Sequence, residues 1–201
     1  MTQKRELPDW EEYYKNETVE KMPWFFKELD YDFAKALDDW KITTGQILDL
    51  GTGPGTQAIA LANKGFTVTA TDLSTSAIEG AKQKSREMNC QIEFVQDDIL
   101  NTQLNKKFNL ILDRGCFHVM HSEQRQDYIT AVYNLLENHG YLFLKCFSHL
   151  ETKEKGPYRF TPEELTNFFV PQFKIHSLQQ SVFYGTLESF PKALFCVMEK
   201  I

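Results

Sequence analysis

The chain has 201 residues, 42% hydrophobic and 25% charged, which suits one α/β domain with a large core. A net charge of -6 and a pI near 5.4 leave no basic field to neutralise phosphates, which argues against a nucleic-acid partner. The four cysteines (Cys90, Cys116, Cys146 and Cys196) form no CxxC pair, so a disulfide framework and a metal site are not expected and a reducing compartment is. The start carries no apolar run of a signal peptide, and no stretch reaches the roughly 18 apolar residues of a membrane helix. The expectation is a cytoplasmic protein with no membrane contact, a monomer or homodimer.

In chain order, Phe26, Leu29, Phe33, Leu37 and Trp40 recur at spacings of three and four, so residues 1–42 read as a helical N-terminal segment. Residues 46–201 then alternate strand and helix. QILDL (46–50) is a buried strand, GTGPG a turn, and TQAIALANKG a helix. FTVTATD (66–72) is the second strand, followed by a helix opening near Ser74 with Ser76 and Glu79 spaced as a capping box. CQIEFVQ (90–96) and FNLILD (108–113) are the third and fourth strands. A helix over 122–138 is closed by Gly140, and YLFLKCF (141–147) is the fifth strand. TPEEL (161–165) opens a helix with Thr161 as N-cap and Glu164 closing the box. Residues 173–185 and 192–200 read as two strands paired antiparallel. Alternating units of this kind imply a mostly parallel sheet with crossovers, finished by a C-terminal hairpin.

The chemistry sits at the ends of these strands. LDLGTGPGT, Leu48 to Thr56, places three glycines between a strand and a helix, so the backbone turns tightly and approaches a ligand closely. The spacing is G-x-G-x-G, not the G-x-G-x-x-G of a dinucleotide site, which counts against a nicotinamide-dependent reductase. Asp72 ends the second strand, where a carboxylate can take ribose hydroxyls. Asp97 and Asp98 follow the third, where an acid can accept from an adenine amine. Acids and turns at successive strand ends converge on one crevice.

Together, LDLGTGPG, Asp72 and VQDD resemble the cofactor motifs of class I S-adenosylmethionine-dependent methyltransferases, over nearly the whole chain from Gln46. The resemblance implies a Rossmann-like three-layer sandwich with a seven-stranded, mostly parallel sheet ordered 3-2-1-4-5-7-6, and S-adenosylhomocysteine as product. Carried over by position, Asp49, Gly51, Thr52, Gly53, Gly55 and Thr56 lie at the methionyl part of the cofactor. Asp72 and Leu73 lie at the ribose, Asp98 and the Ile99 N–H at the adenine, and Asp113 and Arg114 close the set. DRGCFH after the fourth strand, and PDWEEYY with Pro23-Trp24 before the first, resemble the thiopurine, thiol and tellurite methyltransferase-like branch. There Trp24 covers the cofactor as part of a lid.

Methyl transfer from a sulfonium is an in-line displacement that needs alignment and a dry pocket more than covalent help. Trp10, Phe25, Phe117 and Phe147 are the candidate substrate wall, and Arg159 a candidate anion contact. His118 is the candidate base for an acceptor that needs one, and Arg114 either steers an anionic substrate or pairs with an acid. Cys116 reads as a packing residue, and Lys145 receives no role. A small-molecule acceptor, such as a thiol or other soft nucleophile, is the expected substrate. A protein or RNA substrate and a non-catalytic cofactor-binding regulator remain the alternatives.

Overall fold

The computed structural model describes residues 5–153 and 155–201. Eight strands form one sheet: β1 (Gln46–Leu50), β2 (Thr67–Asp72), β3 (Glu93–Gln96), β4 (Phe108–Arg114), β5 (Leu136–Ser148), β6 (Arg159–Phe160), β7 (Phe173–Val182) and β8 (Lys192–Lys200). The order is β3-β2-β1-β4-β5-β8-β7. Strands β1 to β5 pair in parallel, and β8 runs antiparallel to both β5 and β7. This is the expected order plus one short strand, β6. It pairs with Phe147 and Ser148 of β5 just beyond Lys145, where β4 ends.

Alternating side chains split the core into two layers, as a sheet covered on both faces requires. Leu48, Ile111, Leu142, Leu144 and Cys196 face one cluster with Tyr128, Ile129 and Val132 of α5 (Arg125–Leu135) and Leu165 and Phe169 of α6 (Pro162–Phe169). Ile47, Leu110, Leu112, Phe143 and Val197 face the other, with Phe33 and Leu37 of α2 (Tyr31–Asp39) and Ala58 and Leu61 of α3 (Thr56–Asn63). Among the described residues, no helix is long and apolar enough to cross a membrane.

Several boundaries differ from expectation. The N-terminal segment is not one helix. It holds α1 (Trp10–Asn16), a 3-10 turn and α2, joined by non-helical chain that contains Phe26 and Leu29. Residues 1–4 of the expected 1–42 segment lie outside the described residues. Helix α2 starts late because the Asp30 side chain accepts the Asp32 N–H and caps it there. In α4 (Thr75–Glu87), Ser74 is the cap, accepting from the Ala77 N–H, and Ser76 belongs to the first turn. The helix expected over 122–138 stops at Leu135, because Leu136 already pairs with Phe108 and the register shifts before Tyr141. The Thr161–Glu164 capping box forms as expected.

A buried charge cluster fixes the N-terminal segment to the sheet. Lys145 and Asp30 have no exposed surface. Lys145 Nζ lies 2.5 Å from Asp30 Oδ1 and 2.7 Å from Asp32 Oδ2, while Arg114 Nε donates to Asp30 Oδ2 at 2.8 Å. Two cations and two carboxylates balance, as burial demands. Replacing Lys145 with Met leaves Asp32 without its cation. Urea unfolding should show a loss of about 3–5 kcal/mol, as for other broken buried pairs. The charge-balanced double variant Lys145→Met/Asp32→Asn should recover most of it.

Candidate functional site

The site is built on the carboxyl ends of β1, β2, β3 and β4. After Leu50 the chain turns through Gly51, Gly53 and Gly55, whose φ values of 66°, 48° and 74° are left-handed. Side chains rarely adopt that region, and here there is no room for them either. A Cβ on Gly53 would stand 2.4 Å from Tyr14 Oη, and one on Gly55 would stand 2.7 Å from Ala81 Cβ. Thr52 fastens the turn from inside. Its N–H donates to Thr71 O at 2.8 Å, and its hydroxyl to Asp49 at 2.5 Å. Burial pushes the Asp49 carboxyl up to about 6. Asp49 therefore braces the turn from below, and Thr56 begins α3 at its far end.

Asp72 lies beside this turn. One carboxylate oxygen accepts the Gly53 N–H at 2.8 Å and the other the Ser74 N–H at 3.0 Å. Burial raises its pKa, and these hydrogen bonds oppose the rise. Leu73, next in sequence, is 53% exposed and presents an apolar surface at the crevice rim. Asp98 accepts the Leu100 N–H at 3.0 Å and caps a 3-10 turn, Ile99–Asn101, in which Ile99 is buried.

The segment after β4 departs from expectation. Asp113 has no exposed surface, and its carboxylate collects the N–H groups of Gly115 (2.9 Å), Cys116 (2.6 Å) and Phe117 (2.8 Å) together with the Tyr128 hydroxyl. It holds the DRGCFH loop in shape from within. Burial raises the carboxyl to about 6. Burial also pushes the Cys116 thiol up, with Asp113 adding to the effect, so this sulfur has no thiolate character.

Arg114 is committed to an internal carboxylate, Asp30, as one of its two expected roles allowed. Besides Asp30, its guanidinium donates to Trp24 O at 2.9 Å and to Tyr184 O, tying the lid, the cap of α2 and the β7–β8 connection together. His118 is buried and held near 3 by desolvation, with the Arg114 charge adding to it. The Phe147 N–H lies 3.2 Å from its Nδ1. Accepting there leaves the ring proton on Nε2, so the neutral ring keeps no free lone pair and is no general base. Phe117 is a core residue packed on Tyr128, Phe160 and Phe169, not a pocket wall. Phe147 meets the His118 ring edge-to-face and lies tilted against Phe183, and Arg159 stands beside it with its N–H directed at Lys155 O. Phe25 lies under Lys84 of α4, away from the β4–β5 end.

The lid itself is an aromatic cluster. Trp24 packs against Trp10, Tyr13 and Tyr14, and its indole N–H donates to Tyr14 Oη at 3.2 Å. Thr186 holds the Met22 and Pro23 carbonyls from the hairpin side. Below Tyr14, between α1 and α4, lies a hollow of about 350 Å³ lined by Tyr14, Val19, Gly53, Ala77 and Lys84 among others. A larger trough of about 640 Å³ between residues 99–107 and α5 shares only Ile99 with the expected site. The sequence reading missed Glu11, Tyr14, Asp30 and Lys145. Glu11 and Tyr14 stand three apart on α1, a visible spacing, whereas Asp30 and Lys145 meet across 115 positions with no local signal.

An adenosyl cofactor with a zwitterionic tail needs a backbone turn free of side chains and carboxylates at the neighbouring strand ends. Gly51–Gly55, Asp72 and Asp98 fit that need. Gly53→Ala should displace Tyr14 and weaken S-adenosylhomocysteine binding by more than tenfold in calorimetric titration. A separate expectation concerns pH. A histidine whose pKa is depressed to about 3 when folded, against about 6.5 when unfolded, is protonated first in the unfolded chain, so folding loses stability as pH falls through that window. Between pH 6.5 and 5 the wild type should lose about 1.6 kcal/mol more than His118→Gln in denaturant titrations, the slope approaching 1.36 kcal/mol per pH unit below the unfolded pKa.

Comparison with known proteins agrees with this geometry. Residues 47–140 match a methyltransferase-domain family. An uncharacterised methyltransferase of Schizosaccharomyces pombe is 30% identical over 105 residues, 51% of this chain and 71% of that one. The 2-heptyl-1-hydroxyquinolin-4(1H)-one methyltransferase of Mycobacteroides abscessus is 30% identical over 129 residues, 61% of this chain and 56% of that one. An S-adenosylmethionine-dependent methyltransferase of Methanosarcina mazei superposes with a TM-score of 0.74 at 18% identity, covering 87% of this chain and 99% of that one. With these motifs on this sheet, the chain belongs to the S-adenosylmethionine-dependent methyltransferases.

Proposed function

We propose that this enzyme methylates a small molecule whose accepting atom loses its proton without help from a protein base: a thiol or another soft, acidic nucleophile. The carrying observation is His118. It is the histidine of the DRGCFH loop after β4, yet its one acceptor nitrogen faces the Phe147 N–H and desolvation keeps the ring neutral. Tyr14, Cys116 and Cys146 are all raised by burial and offer no base near neutral pH. S-adenosylmethionine supplies an activated methyl group. The chain supplies the turn at Gly51–Gly55, the acids Asp72 and Asp98, and an aromatic cover, Trp10 and Trp24, that excludes water.

The reading has support from two further directions. The relative from Mycobacteroides abscessus is named for an N-hydroxylated heteroaromatic acceptor, a class acidic enough to ionise unaided. DRGCFH and Pro23-Trp24 resemble segments of the thiopurine, thiol and tellurite methyltransferase-like branch, and that likeness supports a soft nucleophile as acceptor. The four cysteines are all free thiols, in keeping with a cytoplasmic enzyme. It works as a monomer or homodimer.

The test is release of S-adenosylhomocysteine with a panel of thiols, N-hydroxy heteroaromatics, phenols, aliphatic alcohols and inorganic oxyanions. Thiols and acidic hydroxyl compounds should turn over, and alcohols should not. His118→Gln should keep kcat within about threefold. A loss of 10²–10⁴, the size of a general-base contribution, would return His118 to the chemistry and remove the basis of this reading.

A further inference from the structure

Helix α1 crosses the crevice and touches it at two points on one face. Glu11 and Tyr14 are three residues apart, the spacing at which helical side chains lie side by side. Tyr14 closes over Gly53. Glu11 reaches the start of α4. Its Oε2 accepts the Ser74 hydroxyl at 2.8 Å and the Ser76 N–H at 3.1 Å, and its Oε1 accepts the Ser76 hydroxyl at 2.6 Å. Those three bonds hold its carboxyl down at about 2. The Ser74 N–H donates in turn to Asp72, which accepts the Gly53 N–H. The contacts close a ring: Gly53, Asp72, Ser74, Glu11, along α1 to Tyr14, and back to Gly53.

We propose that Glu11 is a positioning residue of the cofactor site, an acceptor that pins α1 to the Ser74–Ser76 turn so that Tyr14 stays closed over the glycine turn. This rests on the reading that Gly53 and Asp72 hold the cofactor. Glu11 itself touches neither the turn nor the transferred group. It acts through Ser74, which orients Asp72, and through the helix that carries Tyr14. The far end of the lid is fixed independently by Arg114 on Trp24 O and by Thr186 on Met22 O. Glu11 is thus the surface latch of a strap whose other end is anchored in the core. It sets how long the cofactor stays more than whether the chain folds.

The experiment is stopped-flow and calorimetric measurement of S-adenosylhomocysteine binding, read through the lid tryptophans, on Glu11→Ala, Tyr14→Phe, their double variant and two controls. Glu12→Ala makes the same charge change on the same helix, and Asp72→Asn tests the site beneath. Glu11→Ala should raise Kd about tenfold, almost entirely through a faster dissociation rate, at unchanged Tm, and Glu12→Ala should match the wild type. The double variant should lose less than the product of the single losses, because both act through one closed strap. Wild-type dissociation from Glu11→Ala, or an equal effect from Glu12→Ala, while Asp72→Asn weakens binding, would overturn the role of Glu11 and leave the site standing. Unchanged binding by Asp72→Asn would remove the site reading, and this inference with it.

Discussion

A carboxylate with no exposed surface, Asp30, is the point on which the arrangement of the crevice depends. It caps α2, receives Lys145 from β5 and Arg114 from β4, and so joins the N-terminal segment to the two central strands. Ion pairs of this depth contribute little net stability, because desolvation cancels most of the attraction. What they fix is geometry. A hydrophobic contact would tolerate sliding, whereas two cations converging on one carboxylate define where residues 22–32 sit on the sheet. Gln57 adds to this from α3, accepting the Asp30 N–H and donating to Glu28 O. The lid is therefore referenced to the same strands and helix that carry the glycine turn.

The polar groups at the strand ends divide into those that shape the crevice and those that face it. Asp49 and Asp113 spend their hydrogen-bonding capacity inward, on Thr52 and on the loop after β4, and burial raises both. Asp72 and Asp98 stand at the rim, bonded to backbone N–H groups that a ligand hydroxyl or amine can join or replace. A carboxylate has about four acceptor sites, so two backbone bonds leave capacity for a ligand.

Much of this was legible in the sequence, for identifiable reasons. Strand periodicity and the hairpin are local patterns that imply a mostly parallel sheet with an antiparallel end, and the resemblance of the glycine turn and strand-end acids to class I methyltransferases implies its order, with β6 as the omission. β6 is two residues long and pairs only where β4 has stopped, so it has no pattern of its own. Residues 1–42 are less helical than the spacing implies, because Phe26 and Leu29 keep helical spacing while Asp30 caps the helix after them. Residue roles were harder. Arg114, His118 and Phe117 share a motif, yet their side chains go to three environments: an ion cluster, a buried aromatic stack and the core. Asp113 shapes the loop by collecting three successive N–H groups, and Arg114 and His118 then meet partners distant in sequence, Asp30 and Phe147. Nothing in the local sequence states that choice.

The absence of a free base at His118 becomes intelligible when the charge of the cofactor is counted. A unit positive charge about 4 Å from an acceptor lowers the energy of its anion by about 4 kcal/mol at an effective dielectric of 20. At 1.36 kcal/mol per unit, that moves the acceptor pKa down by about three. A thiol near 8.5 falls to about 5.5 and a phenol near 10 to about 7, both largely or substantially ionised at neutral pH. An aliphatic hydroxyl starts far above both and stays protonated after the same shift. On the proposed reading, a bound sulfonium would help thiols and acidic hydroxyls to ionise, whereas an alcohol would still require a base. On the proposed reading, an acidic acceptor needs no protein base, and a His118 buried against Phe147 with its acceptor nitrogen on the Phe147 N–H is compatible with that.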